Sequence, residues 1–136
     1  MERDSEWKLV YTKVNCEAWS EANLRNQGFS VLMPRVHARN GFAPLFPRYL
    51  FVGFEAGRDT RSLNNTLGVR CVVSFGGRDA RVPQSVIDEI RARMDAHGVV
   101  HLDRDTPRQP LFDRRARERV RTLVRLAQAG FRVAIA

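Results

Sequence analysis

Cysteine is scarce: Cys16 and Cys71 are the only two in 136 residues. Neither belongs to a CxxC pair, and nothing else points to secretion, so reduced thiols are expected rather than a disulfide framework. His37, His97 and His101 stand at no metal-ligand spacing, so no metal is expected. No apolar stretch approaches the roughly 20 residues that cross a bilayer. Met1 to Glu6 is charged with no apolar run behind it, so no signal peptide is expected and the cytoplasm is the expected compartment. A phosphate-cradling glycine loop is also missing, because Gly76-Gly77 lacks the Gly-Lys-Ser/Thr that would follow. Asp88 and Glu89 adjoin on a helical stretch and so do not share a face. No serine or cysteine carries a nucleophile motif. These absences argue against an enzyme, a cofactor, a membrane partner and a small-molecule substrate.

What is abundant is positive charge, a formal net +8. Residues 1–100 hold 14 Arg/Lys against 11 Asp/Glu, and residues 101–136 hold 9 against 4. The excess is therefore +3 in the body and +5 in the much shorter tail. Such a balance speaks of a polyanionic partner or a solvated face, and bears on association rather than fold.

The chain has room for one domain of about 100 residues and an appendage. Trp7–Lys13 alternates bulky and polar residues and predicts a strand. Asn15 is the expected N-cap of a helix that ends at Gly28, with Cys16, Trp19, Ser20 and Leu24 along one side. Phe29–Met33 predicts a second strand, stopped by Pro34, and residues 35–45 read as a loop. Phe46–Phe54 is the strongest strand. A short helix over Thr60–Leu67 and a fourth strand over Val69–Phe75 follow, then a turn at Gly76-Gly77. Pro83 suits the first turn of a third helix running to Gly98, with Val86, Ile87, Ile90 and Met94 inward. The expected architecture is α+β: a sandwich with a mainly antiparallel four-stranded sheet flanked by three helices. The expected division is a domain over 1–98, a linker over 99–111 and a tail over 112–136. In that tail Ala116, Val120, Leu123, Val124, Ala127 and Phe131 form an apolar stripe, arginines fill the remainder, and Gly130 is a candidate stop.

Side chains alternate between faces along a strand, so Phe46, Leu50, Val52 and Phe54 fall on one side and Tyr49 and Phe51 on the other. Trp7, Leu9 and Tyr11 of the first strand can join the latter. Two accounts fit: a sheet covered on both faces, with Tyr49 and Phe51 in ordinary core, or a partly open face that docks an apolar partner.

WKLVYTK at 7–13, NLRNQGF at 23–29, PLFPRYLFVGF at 44–54, LGV at 67–69 and SFGGRDARVPQSVI at 74–87 occur in the order found in the N-terminal domains of the NusG/RfaH family. The sequence resembles that family over about residues 7–95, and within it the RfaH-like paralogues. The resemblance implies a transcription elongation or antitermination factor. Its partner would be the clamp helices of the largest catalytic subunit of RNA polymerase, held by an aromatic patch at Tyr11, Tyr49 and Phe51, and the second account is then the one expected. It also implies a contact to the opposite side of the polymerase channel at Thr60, Arg61 and Ser62, beside Asp59. Lys13, Asn23 and Arg70 are the implied nucleic-acid contacts, with non-template DNA as the candidate partner.

Relatives continue into a small β-barrel (KOW) domain after a leading LF. Leu111-Phe112 is present, but an arginine-rich amphipathic segment follows instead. Three readings of that tail stand open: a reduced cover for the aromatic patch, a helix that binds nucleic acid, or a remnant. The rival to the whole account is a free-standing RNA- or single-strand-binding module that stacks bases on Tyr49 and Phe51.

Overall fold

The computed structural model describes the backbone of residues 5–55, 60–102 and 109–135, and the side chains of 6–54, 60–102 and 109–129. Asp59 and the side chain of Phe131 lie outside these sets. The architecture is the α+β one that the sequence predicts. Strands β1 (Ser5–Thr12), β2 (Ser30–Leu32), β5 (Tyr49–Glu55) and β6 (Val69–Val72) form an antiparallel sheet in the order β2-β5-β1-β6. A fifth strand, β9 (Arg81–Val82), pairs with the first half of β1. Helices α1 (Glu17–Asn26) and α2 (Arg61–Asn64) cover one face through Leu24 and Leu63. The other face meets α3 (Gln84–Arg93), a 3-10 turn at Pro110–Phe112 and the long α4 (Ala116–Ile135).

Two apolar cores result, one on each side of the sheet. Val10, Leu24, Phe29, Leu50, Val52 and Phe54 belong to one. Trp7, Leu9, Phe51, Ile87, Phe112 and Leu123 belong to the other. Register explains the split: Trp7 stands opposite Gly53, Leu9 opposite Phe51 and Tyr11 opposite Tyr49, so one parity of both strands faces α3 and α4. Gly53 leaves room for the indole, since a Cβ there would stand 3.2 Å from Ser30 Cβ and 3.5 Å from Trp7 Cη2.

Several local expectations are corrected. Residues 35–45 are not a loop: β3 (Arg35–Ala38) and β4 (Gly41–Pro44) make a hairpin, with strands too short for periodicity to reveal. Asn15 does not cap α1. It takes a left-handed φ of 58°, which asparagine tolerates, and Cys16 occupies the cap position. Trp19 lies exposed rather than along the buried side of α1. Phe46 packs with Phe51, not with Leu50, because the chain turns at Pro47–Arg48 before the strand begins. The fourth strand breaks after Val72: β7 (Ser74–Phe75) and β8 (Arg78–Asp79) form a hairpin around Gly76-Gly77, whose φ values of 60° and 79° suit its tight turn. Pro83 sits at the cap of α3 rather than inside it. The backbone of α4 continues helical through Gly130. Val99 and Val100, placed in a linker by composition, are buried, and Val100 N–H donates to Arg35 O at 2.7 Å.

Gly68 takes φ +91°, and a Cβ there would collide with Ser20 Oγ. Gly77 shares the positive φ (+79°) but has open space around it. Gly68→Ala should therefore destabilise the fold by about 2–3 kcal/mol and Gly77→Ala by about 1 kcal/mol, as read from urea unfolding midpoints.

Candidate functional site

The residues of the expected aromatic patch are brought together. Tyr49 of β5, Tyr11 of β1 and Cys71 of β6 lie side by side in register on one face of the sheet. The two tyrosine rings are 5.1 Å apart and tilted by 52°, an arrangement that adds about 0.5–1.5 kcal/mol beyond burial. Both rings are half-buried, and each keeps part of its surface open to solvent. Burial is the main cause that raises the Tyr49 phenol above its ordinary 10.0. The Tyr11 phenol adds to this, and the Arg48 cation opposes it.

Arg48, which the sequence reading did not single out, braces this row. Its guanidinium carbon lies 4.1 Å from the centre of the Tyr11 ring, and its Nε donates to Thr12 O at 3.0 Å. The backbone N–H of Arg48 donates to Glu17 Oε2 at 3.0 Å, and its carbonyl accepts from Thr12 N–H at 2.8 Å. These bonds hold a left-handed φ of 73° that is unfavourable for any residue with a Cβ. Nothing in the local sequence signals such a role, because it depends on contacts to β1 and α1.

Phe51 differs from the two tyrosines in being fully buried. Its ring meets Phe46 edge-on at 5.7 Å and 80°. The same cluster contains Leu123 and Ala127 of α4, both fully buried, with Val120 and Leu126 packed against it. The tail helix is thus built into the core that holds Phe51.

Arg119 ties that helix down. Only 4% exposed, it donates from Nε to Leu45 O at 2.6 Å and from Nη1 to Asp113 O and Arg114 O at 2.8 and 2.9 Å. Its hydrogen-bond partners are carbonyls rather than a carboxylate, and burial lowers its pKa from the usual guanidinium range against the pull of Asp113. Arg119 lies three and four residues from Ala116 and Leu123, on the edge of the apolar stripe. A charge at that position was the available signal.

Of the implied nucleic-acid contacts, Lys13 and Asn23 converge on one loop. Lys13 N–H donates to Gly68 O at 2.8 Å and Asn23 Nδ2 to Leu67 O at 3.1 Å, while Arg70 lies exposed just beyond on β6. Val14, Trp19 and Leu67 are exposed in the same neighbourhood, and a Cβ on Gly68 would stand 3.3 Å from Trp19 Cε3. Thr60, Arg61 and Ser62 open α2, where Thr60 is the cap residue but its hydroxyl makes no capping hydrogen bond. No group of three or more His, Cys, Asp or Glu among the described residues is placed to hold a metal. None of the helices, over the described residues, is long and apolar enough to cross a membrane.

A family model described as "Transcription termination factor nusG" matches residues 5–91, well over half of the chain. The chain belongs to the NusG family. It is thereby one of a family of transcription factors and not of enzymes. The match takes in β1 through most of α3 and leaves α4 outside. A solved structure described as "Domain interaction in Thermotoga maritima NusG" is 20% identical, with a TM-score of 0.49. That likeness covers 62% of this chain and 54% of the other, so the chain spans about half the length of that NusG.

Removing the Arg119 side chain strands the Leu45 carbonyl in the core. Arg119→Ala should cost about 2–3 kcal/mol in urea unfolding, against less than about 0.5 kcal/mol for exposed Arg121→Ala. For Tyr49, the raised pKa fixes the sign of its pH dependence. The neutral phenol's contribution to stability is complete below pH 10 and is lost as pH rises through the folded value. Stability should therefore fall at high pH by more in the native protein than in Tyr49→Phe, as seen by thermal unfolding across that range.

Proposed function

We propose that this chain is a cytoplasmic elongation and antitermination factor of the RfaH-like kind. It docks on the clamp helices of the largest catalytic subunit of RNA polymerase through Tyr11, Tyr49 and Phe51. The observation that carries the reading is the tyrosine pair: two adjacent, partly open rings on a rigid sheet, braced by Arg48, in a chain that belongs to the NusG family. A few aromatic anchors dominate interfaces of this type. Binding the elongating conformation of polymerase better than the paused one is sufficient to suppress pausing or termination, with no chemistry required. In the same reading Thr60, Arg61 and Ser62 meet the other side of the channel. Lys13, Asn23 and Arg70 contact non-template DNA, their convergence near Leu67–Arg70 being the support.

Residues 1–98 act as the docking unit, 99–111 as the connection, and 112–136 as a cover that shields Phe51 until polymerase displaces it. Support for the cover comes from the burial of Leu123 and Ala127 in the Phe51 cluster. Its hold is moderate. Burying the Arg119 guanidinium without a carboxylate costs several kcal/mol, which offsets its charged hydrogen bonds of about 1.5–3 kcal/mol each. The net attachment then rests chiefly on burial of Leu123 and its apolar neighbours, at about 1.5–3 kcal/mol for a leucine. The base-stacking rival has less support, since of its two platform residues Phe51 is fully buried and Tyr49 alone keeps part of its ring open.

Because Phe51→Ala would also remove core packing, the two tyrosines give the cleaner test. Tyr11→Ala/Tyr49→Ala should weaken binding to core polymerase by about tenfold or more in moderate salt, with the fold checked by circular dichroism. Unchanged affinity in a folded double variant would remove the docking site. For the cover, Leu123→Asp should raise polymerase affinity, and a folded variant with native affinity would dispose of that part.

A further inference from the structure

The β3–β4 hairpin presents a second aromatic and basic face, on elements separate from the tyrosine row. Arg35 and His37 share one parity along β3, Phe42 stands directly opposite His37 on β4, and Arg39 lies exposed in the turn between the two strands. The His37 and Phe42 rings lie 5.1 Å apart, and the Arg35 guanidinium carbon is 5.6 Å from the Phe42 centroid. Phe42 is nevertheless 55% exposed.

This face is fixed rather than loose. Arg35 N–H donates to Gly98 O at 3.0 Å, its carbonyl accepts from Val100 N–H at 2.7 Å, and its Nη2 donates to His97 O at 2.7 Å. These bonds carry His101 to 5.3 Å from His37. Among the described residues one carboxylate approaches, Asp95, whose pKa is lowered to about 2, first by the Val99 N–H and then by His101 and the His97 N–H. It is already engaged, with Oδ2 3.0 Å from His101 Nε2. No acidic residue occurs anywhere from Ser30 to Phe54.

A single exposed phenylalanine would call for no explanation. An exposed ring beside Arg35, with Arg39 exposed in the adjoining turn and no acid in a stretch of 25 residues, is complementary to a polyanion that carries flat apolar groups. Unpaired nucleotides have that composition, since each base offers a π-face and each linkage a negative charge. A duplex hides its bases, and an acidic peptide offers a flat partner only where it carries an aromatic side chain, whereas every nucleotide of a single strand does.

We propose that the outer face of the β3–β4 hairpin binds single-stranded nucleic acid, with Phe42 stacking a base and Arg35 and Arg39 holding the flanking phosphates. The proposal does not rest on polymerase docking, and its test involves no polymerase. Fluorescence anisotropy of the full chain with labelled oligothymidylate of about 12 nucleotides reads it directly. Phe42→Ala should weaken binding by about tenfold and Phe42→Trp should retain it. Arg39→Ala should reduce the slope of log affinity against log salt by about one. Lys13→Ala separates this face from the loop at Leu67–Arg70, because its loss should leave the Phe42 effect intact. All four substitutions are at exposed positions, and circular dichroism checks the fold. Affinity for the oligonucleotide that stays within about twofold in folded Phe42→Ala, or equal affinity for duplex of the same length, would overturn the proposal. So would an absence of binding at low salt.

Discussion

Leu50, Phe51 and Val52 follow one another along the central strand, and all three are fully buried. In a strand this can happen only if both faces of the sheet are covered, since neighbouring side chains point in opposite directions. The register between β1 and β5 extends the demand to Trp7 and Leu9 on one face and Val10 on the other. Helices α1 and α2 meet the requirement on the first face. On the second, α3 covers the Trp7 end, and the cluster around Phe51 is completed by the 3-10 turn and α4. Each described helix can be placed by asking which side of β5 it serves.

Once the second face must be covered, the odd features of the tail acquire a reason. A helix carrying many arginines would ordinarily stay solvated, yet its apolar stripe reaches the Phe51 cluster and brings Arg119 in with it. The Asp113 carboxylate favours its charge, but the hydrogen bonds of the guanidinium go to three carbonyls. Such an arrangement specifies where the helix sits but adds little to how tightly it sits. Toward the open end of the same face, Tyr11 and Tyr49 stay half-exposed, and Arg48 accepts a strained backbone to brace them. One face thus grades from fully sealed at Phe51 to accessible at the tyrosines, an arrangement suited to a surface used in two ways.

Much of this was legible in the sequence. The alternation of β5 alone separates Tyr49 and Phe51 from Leu50, Val52 and Phe54, and that separation is observed. The four main strands and three body helices also follow from periodicity and from Gly28, Pro34 and Gly68 as punctuation. Parity could not say whether the second face is open or covered, because the answer depends on α4, more than 60 residues away along the chain. Phe46 was assigned to the wrong face since parity holds only within a strand, and the turn at Pro47–Arg48 resets it. The β3–β4 hairpin was hidden by four-residue strands containing glycine and proline. Arg48 gives no local signal because its partners on β1 and α1 are distant in sequence, whereas Arg119 is marked only by a charge at the edge of the apolar stripe.

The proposed function has α4 and polymerase competing for one face of the sheet. Hydrogen exchange at the amides of α4, β1 and β5, compared between the free protein and its complex with core RNA polymerase, tests it most directly. If the two compete, α4 is protected in the free protein and loses that protection in the complex, while the β1–β5 pair stays protected throughout. An α4 that remains as protected in the complex as in the free protein would contradict the account, because the face it completes would then never be opened.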